Sequence, residues 1–423
     1  MRSVEEQQAR VMAAAVAPRP VRVAIAEAQG LMCAEEVVTE RPLPGFDQAA
    51  IDGYAVRSVD VASVGDSDDL DDDAEFEPDG VEVRLPVVGE IEAGARTPSR
   101  LQPRQAARVQ TGAPIPTLAD AVLPLRWTDG GDSKVRVLRG VRSGAYIRRA
   151  GDDVQPGDVA VRAGAIIGAA QVGLLAAVGR ERVLVHPRPR LSVMSVGGEL
   201  VDINRTPGNG QVYDVNSYAL AAAGRDAGAE VNRVGIVSTD PKELRETVEG
   251  QLNRAELVVI AGAVGGSAAE NIVSVLSKLG EIEVSRVAMH PGSVQGFGQL
   301  GPEGVPTFLL PANPVGALVA FEVMVRPLIR LSLGKRQPMR RVVEARTLSP
   351  ISSVPGRRGY LRGQLMRDQD SGEYLVQALG APGASSHLLA TLAEANCLVL
   401  VPSDAEQIRT GEIVSVAFLA QRG

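Results

Sequence analysis

The residues of this chain that could do chemistry are carboxylates and glycine-rich loops. Its three histidines, His186, His290 and His387, form no metal-ligand spacing with one another or with the two cysteines, which indicates neither a zinc site nor a Ser-His-Asp triad. No G-x-G-x-x-G opens a helix, and no G-x-x-x-x-G-K-[ST] occurs. The remaining groups suit hard divalent cations, phosphates and oxyanions.

The elements that must position these groups follow one another between residues 190 and 333. Alternating strands and helices predict a doubly wound, mostly parallel sheet, which binds its ligands at the carboxyl ends of the strands. The helix at Asn216 is predicted to have an asparagine cap, and the helix after Asp240 an aspartate cap. The predicted strands are Leu191–Val196, Glu230–Val237, Leu257–Ala261 and Thr307–Leu310, and the predicted helices are Asn216–Gly228, a helix from Asp240, 268–279 and Pro314–Arg330.

The flanking regions have other patterns. Short strand signals predict a β-rich insert, and strand signals spaced by Gly and Pro predict a small β-barrel or sandwich after residue 340. A capping box at Ser3 predicts a first helix through about Val16, and an apolar run predicts a helix over 164–179. Nine acidic residues between Gly65 and Gly80 indicate a solvated loop or a docking loop for a basic partner. The strands expected in the insert are Val81–Val88, Ala107–Thr111, Ala121–Leu125 and Val135–Leu138.

Composition narrows the class of protein. The chain has 423 residues and a net charge of -7, which argues against nucleic acid as a partner. Cys33 and Cys397 read as reduced core residues, and the N-terminus shows no apolar signal segment. The most apolar run, 166–179, is shorter than the roughly 20 residues of a membrane span. We therefore expect a cytoplasmic protein that does not span the membrane.

Five segments, in order along the chain, resemble signatures of the molybdopterin molybdotransferase family, which includes the C-terminal part of gephyrin. One such segment alone is a weak signal, but five in family order are specific. The segments are A-A-I-D-G-Y-A-V at 49–56, Q-T-G-A-P-I-P at 110–116, I-R-R-A-G-D-D at 147–153, G-Q-V-Y-D-V-N at 210–216 and L-P-A-N-P-V at 310–315.

The resemblance implies a four-part chain that forms a homodimer, in which the partner's β-rich insert completes the site of the α/β core. The implied reaction inserts molybdate into adenylylated molybdopterin and releases AMP, with Mg²⁺ as the cation. The resemblance also implies a protein partner, the enzyme of the same pathway that adenylylates molybdopterin (a molybdopterin adenylyltransferase-type enzyme). The predicted parts are a linker and dimerisation domain (1–48 with 148–185), the insert (49–147), the molybdopterin-binding core (186–334) and the C-terminal barrel (335–423).

The family's functional residues carry over to positions on several of these parts. Some have structural alternatives: Asp52 precedes a glycine turn, Asp240 is an adequate helix cap, and the prolines near Asn313 could serve loop architecture. The implied catalytic residues are Asp52, Thr111, Glu199 and Asp240, and the implied metal ligands are Asp153, Glu199 and Glu270. The implied ligand-binding residues are Gly262, Gly265, Gly266, Ser267, Pro311, Asn313 and Pro314.

The sequence departs from the family pattern where an anion would bind. His290 and Ser293 replace two lysines, Gly198 replaces an aspartate and Ala312 replaces a glycine. Two hypotheses follow: an active enzyme with a variant pocket, or a catalytically degenerate, gephyrin-like dimeric scaffold. The scaffold would bind a peptide of a membrane receptor or of a cytoskeletal or cell-division protein, which would recruit it to the membrane.

Overall fold

A computed structural model of the chain describes residues 1–16, 18–64, 82–96, 100–265, 269–380 and 389–419. The acidic stretch 65–80, the predicted ligand residues Gly266 and Ser267, and His387 lie outside the described residues. Two compact units divide the chain: unit 1 comprises Met1–Val21 with Val185–Gly423, and unit 2 comprises Arg22–Leu184. The four-part division expected from the sequence stays a prediction.

Unit 1 is organised around a six-stranded sheet. Four strands are parallel, and the other two, β4 and β5, are antiparallel additions at one edge. β4 and β5 were not predicted from the sequence, but the sheet is mostly parallel as predicted. In spatial order the sheet runs β2-β1-β3-β6-β5-β4. The strands are β1 (Arg190–Val196), β2 (Glu230–Val237), β3 (Leu257–Val264), β4 (Gly280–Arg286), β5 (Val294–Leu300) and β6 (Val305–Pro311).

Helices cover both faces of this sheet, which is why the residues of its central strands β1, β3 and β6 are almost all buried and mostly apolar. One face packs on α1, α2, α5 and α6, and the other packs on α3 and α4. The single long helix predicted over Pro314–Arg330 is instead two α-helices joined by a π-helical segment, Phe321–Val325. The helices are α1 (Val4–Ala13), α2 (Asn216–Ala227), α3 (Pro241–Leu252), α4 (Ala269–Leu276), α5 (Pro314–Ala320) and α6 (Arg326–Ser332).

The start of α2 differs from the sequence prediction. The expected asparagine cap is wrong, because Asn216 is the first residue of the helix and its side chain does not cap it. The buried carboxylate of Asp214 serves the helix start instead: its Oδ1 accepts hydrogen bonds from the Ser217 amide (3.0 Å) and the Ser195 hydroxyl (2.8 Å). This acceptor leaves the Asn216 amide available for other contacts.

The C-terminal part of unit 1 forms a closed barrel, as the sequence predicted. Its strands pair in a ring, because Arg358–Arg367 bonds to both Tyr374–Ala378 and Cys397–Val401. The barrel encloses its own apolar core, which includes Cys397. The barrel strands are Val342–Thr347, Arg358–Arg367, Tyr374–Ala378, Cys397–Val401 and Ile413–Phe418. The remaining short elements of unit 1 are strands Leu200–Val201, Val212–Tyr213, Met289–His290, Ile351–Ser352 and Gln407–Ile408 and the helix Leu389–Glu394.

Unit 2 contains the predicted β-rich region. Its five-stranded sheet runs Ala121–Pro124, Gly53–Val56, Ala106–Val109, Val83–Ile91 and Lys134–Val137 in spatial order. The helix expected over 164–179 is shorter, Ala169–Ala177, because the backbone of its N-cap residue Gly168 is extended rather than helical. The remaining strands are Val21–Ala24, Met32–Cys33, Val37–Val38, Gln48–Ala49, Ile147–Arg148, Val159–Val161 and Arg182–His186.

None of the helices in the described ranges has the length and apolar character needed to cross a membrane.

Candidate functional site

One candidate site of unit 1 is a cavity of about 770 Å³ at the carboxyl ends of β1, β3 and β6. Parallel pairing sets Ser195 beside Ala261, and Ala261 beside Leu310, so the residues that follow these strands meet at one edge of the sheet. This is the edge where the sequence analysis expected a ligand. Five of the predicted residues line this cavity: Glu199, Gly262, Gly265, Pro311 and Asn313.

Gly262 lies where β3 closely approaches the backbone of β1. Its φ is +81°, and a Cβ there would lie 2.1 Å from the carbonyl oxygen of Val196. Only glycine fits this position. Gly265 has a similar φ of +82°, but no described atom lies within 4 Å of where its Cβ would be.

Glu199 offers an exposed carboxylate at the loop that follows β1. The carboxylate folds back toward its own loop, since a Cβ on Gly197 would lie 2.8 Å from Oε2 of Glu199. The loop is held by parallel pairing of Leu200 with Val212. A carboxylate fixed at a cavity mouth can bind a cation or accept hydrogen bonds from a ligand.

The loop before α5 supplies the other wall of this cavity. Asn313 caps α5, because its Oδ1 accepts a hydrogen bond of 3.0 Å from the Gly316 amide. Pro314 occupies the first turn of α5 and lines a neighbouring smaller cavity instead. Asn313 and the two prolines therefore have a demonstrable architectural role besides any contact with a ligand.

The positive charge of the large cavity comes from a residue that the sequence analysis missed. Arg357, from the loop before a barrel strand, lines the cavity together with His290. Burial lowers the pKa of His290 below its usual value, and the charge of Arg357 lowers that pKa further. Because Arg357 is about 160 residues from the sheet strand β1 and belongs to no local motif, no sequence signal pointed to it.

Ser293, the second replacement for a family lysine, also lines the cavity. Its hydroxyl donates a hydrogen bond of 2.8 Å to the carbonyl oxygen of Val287. The hydroxyl is thus engaged in holding its own loop. Among the described residues that line this cavity, Arg357 is therefore the one with a permanent positive charge.

Two predicted acidic residues of unit 1 lie off this cavity. Asp240 caps α3 by accepting hydrogen bonds from the amides of Lys242 (2.9 Å) and Glu243 (3.1 Å), and its neighbour Thr239 lines the cavity. Glu270 is exposed in the first turn of α4. Within the ranges that the structure describes, no three His, Cys, Asp or Glu side chains form a group that could hold a metal ion.

Asp52 and Thr111 form a second candidate site, in unit 2. The antiparallel pairing of Gly53 with Val109 brings the two residues together, since each lies just beyond a paired strand end. Oδ1 of Asp52 accepts hydrogen bonds from the Thr111 hydroxyl and from the Thr111 amide, both of 2.7 Å. These two bonds, with a smaller contribution from the charge of Arg108, lower the pKa of Asp52.

This second site is a shallow cavity of about 400 Å³ that also contains Glu90 and Arg108. Asp52 is exposed, so its carboxylate is ionised and accessible. Gly53 is required beside it, because a Cβ at that position would lie 2.2 Å from the carbonyl oxygen of Leu123. The arrangement can hold a carboxylate rigidly toward an incoming substrate or cation.

Asp153 is the remaining predicted metal ligand. It is exposed in unit 2, and its backbone amide donates a hydrogen bond of 3.0 Å to the carbonyl oxygen of Leu43. Asp153 and the two glutamates of the predicted set thus belong to different compact units. The metal assignment stays a prediction.

Three family models together match most of the chain. They are described as MoeA N-terminal region (domain I and II), Probable molybdopterin binding domain, and MoeA C-terminal region (domain IV), and they match residues 2–179, 192–331 and 344–419. A Mycobacterium tuberculosis protein named molybdopterin molybdenumtransferase 1 is 85% identical over the whole length of both chains.

The chain belongs to the MoeA family. Molybdopterin molybdenumtransferase 2 of Mycobacterium tuberculosis is a more distant relative, 36% identical over 98% of this chain and 99% of its own length. The structure of a molybdopterin biosynthesis MoeA protein from Pyrococcus horikoshii aligns with a TM-score of 0.79 at 29% identity, covering 98% of each chain. The resemblance drawn from five sequence motifs and the predicted fold class are thereby confirmed.

Proposed function

We propose that this chain is a molybdopterin molybdenumtransferase that acts in molybdenum-cofactor biosynthesis. The observation that carries this proposal is the 85% identity, over full length, to a protein of that name. The structural comparison with a MoeA protein supports the same activity. The active-enzyme hypothesis is thus favoured over the scaffold hypothesis.

The proposed substrates are molybdate and adenylylated molybdopterin, and the proposed products are the molybdenum cofactor and AMP. Both substrates are anionic, and the large cavity of unit 1 offers Arg357 and the glycine backbone near Gly262 to such groups. Backbone amides and one guanidinium bind phosphate oxygens without a lysine. The cavity therefore keeps a means of holding an anion although both family lysines are replaced.

We propose Mg²⁺ as the metal ion of the reaction, with Glu199 as its ligand in unit 1. Mg²⁺ is usually held by one or two carboxylates together with substrate phosphates and waters, so a single carboxylate at the cavity is a sufficient protein contribution. When bound, the ion neutralises charge on the phosphate oxygens. Glu270 and Asp153 are proposed as further ligands, and Asp240 as a catalytic residue that also caps α3.

The site is proposed to be completed in a homodimer. In this arrangement Asp52 and Thr111 of one subunit face the large cavity of the other. The ionised carboxylate of Asp52, held by two hydrogen bonds from Thr111, would there orient the reacting groups. The enzyme that adenylylates molybdopterin is proposed as the partner that supplies the substrate.

The direct test measures AMP release by the purified chain with molybdate, adenylylated molybdopterin and Mg²⁺. AMP and molybdenum cofactor should appear together, and Asp52→Asn should lower the rate at least about tenfold, since a lost catalytic carboxylate costs roughly that or more. Absence of AMP, in conditions where a MoeA enzyme of known activity produces it, would refute the function.

A complementation experiment tests the shared site. Asp52→Asn and Glu199→Gln chains, each with strongly lowered activity alone, are co-expressed so that mixed dimers form. If each site combines Asp52 of one subunit with Glu199 of the other, every mixed dimer has one intact site, and random pairing restores about a quarter of the activity. If both residues act within one chain, the mixture stays as weakly active as the two variants alone.

The scaffold hypothesis stays a prediction that no described feature favours. The relatives reported above are named as transferases or biosynthesis proteins. The acidic stretch 65–80, which motivated part of that hypothesis, lies outside the described residues.

A further inference from the structure

A second, smaller cavity of about 220 Å³ lies next to the large one in unit 1. The two cavities share four lining residues, Val196, Glu199, Gly262 and Ala312. Drug-sized ligands occupy pockets of roughly 300–1,000 Å³, so the smaller cavity suits one portion of a ligand that extends into its neighbour.

Asn216 lines this smaller cavity, and its side chain has a buried hydrogen-bond acceptor to which no described group donates. The side chain is part of a residue only 8% exposed, and its Nδ2 donates a hydrogen bond of 2.8 Å to the carbonyl oxygen of Ala312. Its Oδ1 has no hydrogen-bond partner in the described structure. A buried polar atom without a partner is costly, so this oxygen requires a donor from outside the chain.

The orientation of this amide is fixed by its surroundings. If the side chain were flipped, Oδ1 would face the carbonyl oxygen of Ala312, and two acceptors would repel each other. The helix start does not use the oxygen either, because Asp214 accepts the hydrogen bond from the Ser217 amide. Oδ1 of Asn216 is therefore the atom without a partner, whichever of these two neighbouring groups is considered.

The chemistry of the smaller cavity contrasts with that of the larger one. Glu199 supplies a second acceptor, its carboxylate, while Arg357 and His290 line only the larger cavity. Two acceptors that line one small cavity can bind an edge with two hydrogen-bond donors, whereas the guanidinium binds an anion. A ligand that fills both cavities thus has N–H donors at one end and negative charge at the other.

We propose that the smaller cavity is the subsite for the aminopyrimidinone edge of the pterin, with Asn216 as an acceptor for its N–H groups. This inference rests on the proposed function and names the part of the substrate that the subsite takes. A pterin edge presents an amino group beside a ring N–H, which are two adjacent donors. Adenine presents its amino group beside a ring acceptor, which matches the two acceptors less well. Tyr213, 45% exposed at the rim, offers a ring for stacking against the pterin.

The test compares two soluble probes, pterin-6-carboxylate and lumazine-6-carboxylate, by isothermal titration calorimetry. Lumazine has a carbonyl group where pterin has the amino group, so it replaces one donor with an acceptor. The unmodified protein should bind the pterin at least about tenfold more tightly, because an acceptor facing Asn216 leaves both groups without a partner.

Variants then assign this preference to the cavity. Asn216→Ala should reduce the pterin-to-lumazine ratio to about one, and Glu199→Gln should reduce it partly. Asn253→Ala is the matched control, since it removes an exposed amide at the end of α3 and should keep the ratio unchanged. Because the probe comparison on the unmodified protein needs no variant, a folding defect of Asn216→Ala would not decide the result.

Three outcomes overturn the inference. Equal affinity of the unmodified protein for both probes would show that the smaller cavity does not recognise hydrogen-bond donors of the pterin edge. Retention of the full ratio in Asn216→Ala refutes the role of that residue. A preference for AMP over IMP that depends on Asn216 assigns the subsite to adenine instead. AMP release is measured separately, so a protein that selects pterin but releases no AMP would refute the proposed function alone.

Discussion

Gly262→Ala tests whether the close approach of β1 and β3 shapes the large cavity. The new Cβ would lie 2.1 Å from the carbonyl oxygen of Val196, whereas ordinary contact begins at 3.4 Å, so the strands must separate by about 1.3 Å at this point. Alanine at a φ of +81° also has a conformational cost. That conformational cost is roughly 1–2 kcal/mol. Each backbone hydrogen bond that the separation breaks costs about 0.5–1.5 kcal/mol more. We therefore expect the free energy of unfolding to fall by about 2–4 kcal/mol.

Gly265→Ala is the matched control. Its φ of +82° is nearly the same, but no described atom lies within 4 Å of the added Cβ. In this variant the free energy of unfolding should fall only by the conformational cost of alanine at a positive φ, about 1–2 kcal/mol. The difference between the two variants isolates the collision with Val196.

Hydrogen exchange followed by mass spectrometry is the suitable assay. The single tryptophan, Trp127, is in unit 2, so its fluorescence reports on the other compact unit and should not change. Peptides covering β1 and β3 should lose more protection in Gly262→Ala than in Gly265→Ala. Equal loss in the two variants, or none in Gly262→Ala, would show that the strand edge tolerates a methyl group and would refute the reasoning.

Three further predictions concern single side chains. Thr111→Val removes the side-chain hydrogen bond to Asp52, which is the largest cause of the lowered pKa, and raises the pKa of that carboxyl toward its usual value, so the acid limb of the kcat/KM profile should move to higher pH. His290→Lys adds a charge that the neutral imidazole lacks at pH 8, and should tighten inhibition by inorganic pyrophosphate about tenfold. Gly197→Ala puts a methyl 2.8 Å from an oxygen of Glu199 and should lower AMP release about tenfold without changing the melting temperature.

Each of these predictions has a conservative control. Thr111→Ser keeps the hydroxyl and should keep the pH profile of the unmodified enzyme. His290→Gln adds no charge, and a gain in pyrophosphate binding with this variant would contradict the electrostatic explanation. Gly198→Ala adds a methyl with no atom within 4 Å, and an equal loss of AMP release there would show that the loop, rather than the carboxylate of Glu199, is disturbed.

The sequence predicted those parts of the fold that depend on local patterns. The strands of the parallel sheet are rich in apolar and β-branched residues, and Asp240 with Pro241 is a strong helix start, so both were found close to their observed positions. β4 has mostly exposed or half-exposed residues and β5 contains two glycines, so neither has the alternation that identifies a strand. The π-helical segment before α6 likewise leaves no local signal.

The candidate sites were only partly predictable for a different reason. Asp52 and Thr111 were recognised by their motifs, and the register of two strands joins them. Arg357 reaches the large cavity from the barrel region, a contact that depends on tertiary packing. Asn216 was interpreted as a cap because asparagine favours that position, but Asp214 two residues earlier is the acceptor in the folded chain.

The helix α1 belongs to unit 1, although the chain between it and the rest of that unit forms unit 2. Its apolar residues Val4 and Val11 belong to the same apolar core as the π-helical segment Phe321–Val325 and α6, which α1 contacts. During synthesis at about 5–20 residues per second, α1 leaves the ribosome roughly 15–60 s before these packing partners. Unit 2 can fold in that interval, while α1 remains an exposed amphipathic segment that a chaperone could bind. The completion of unit 1 is therefore necessarily late in biosynthesis.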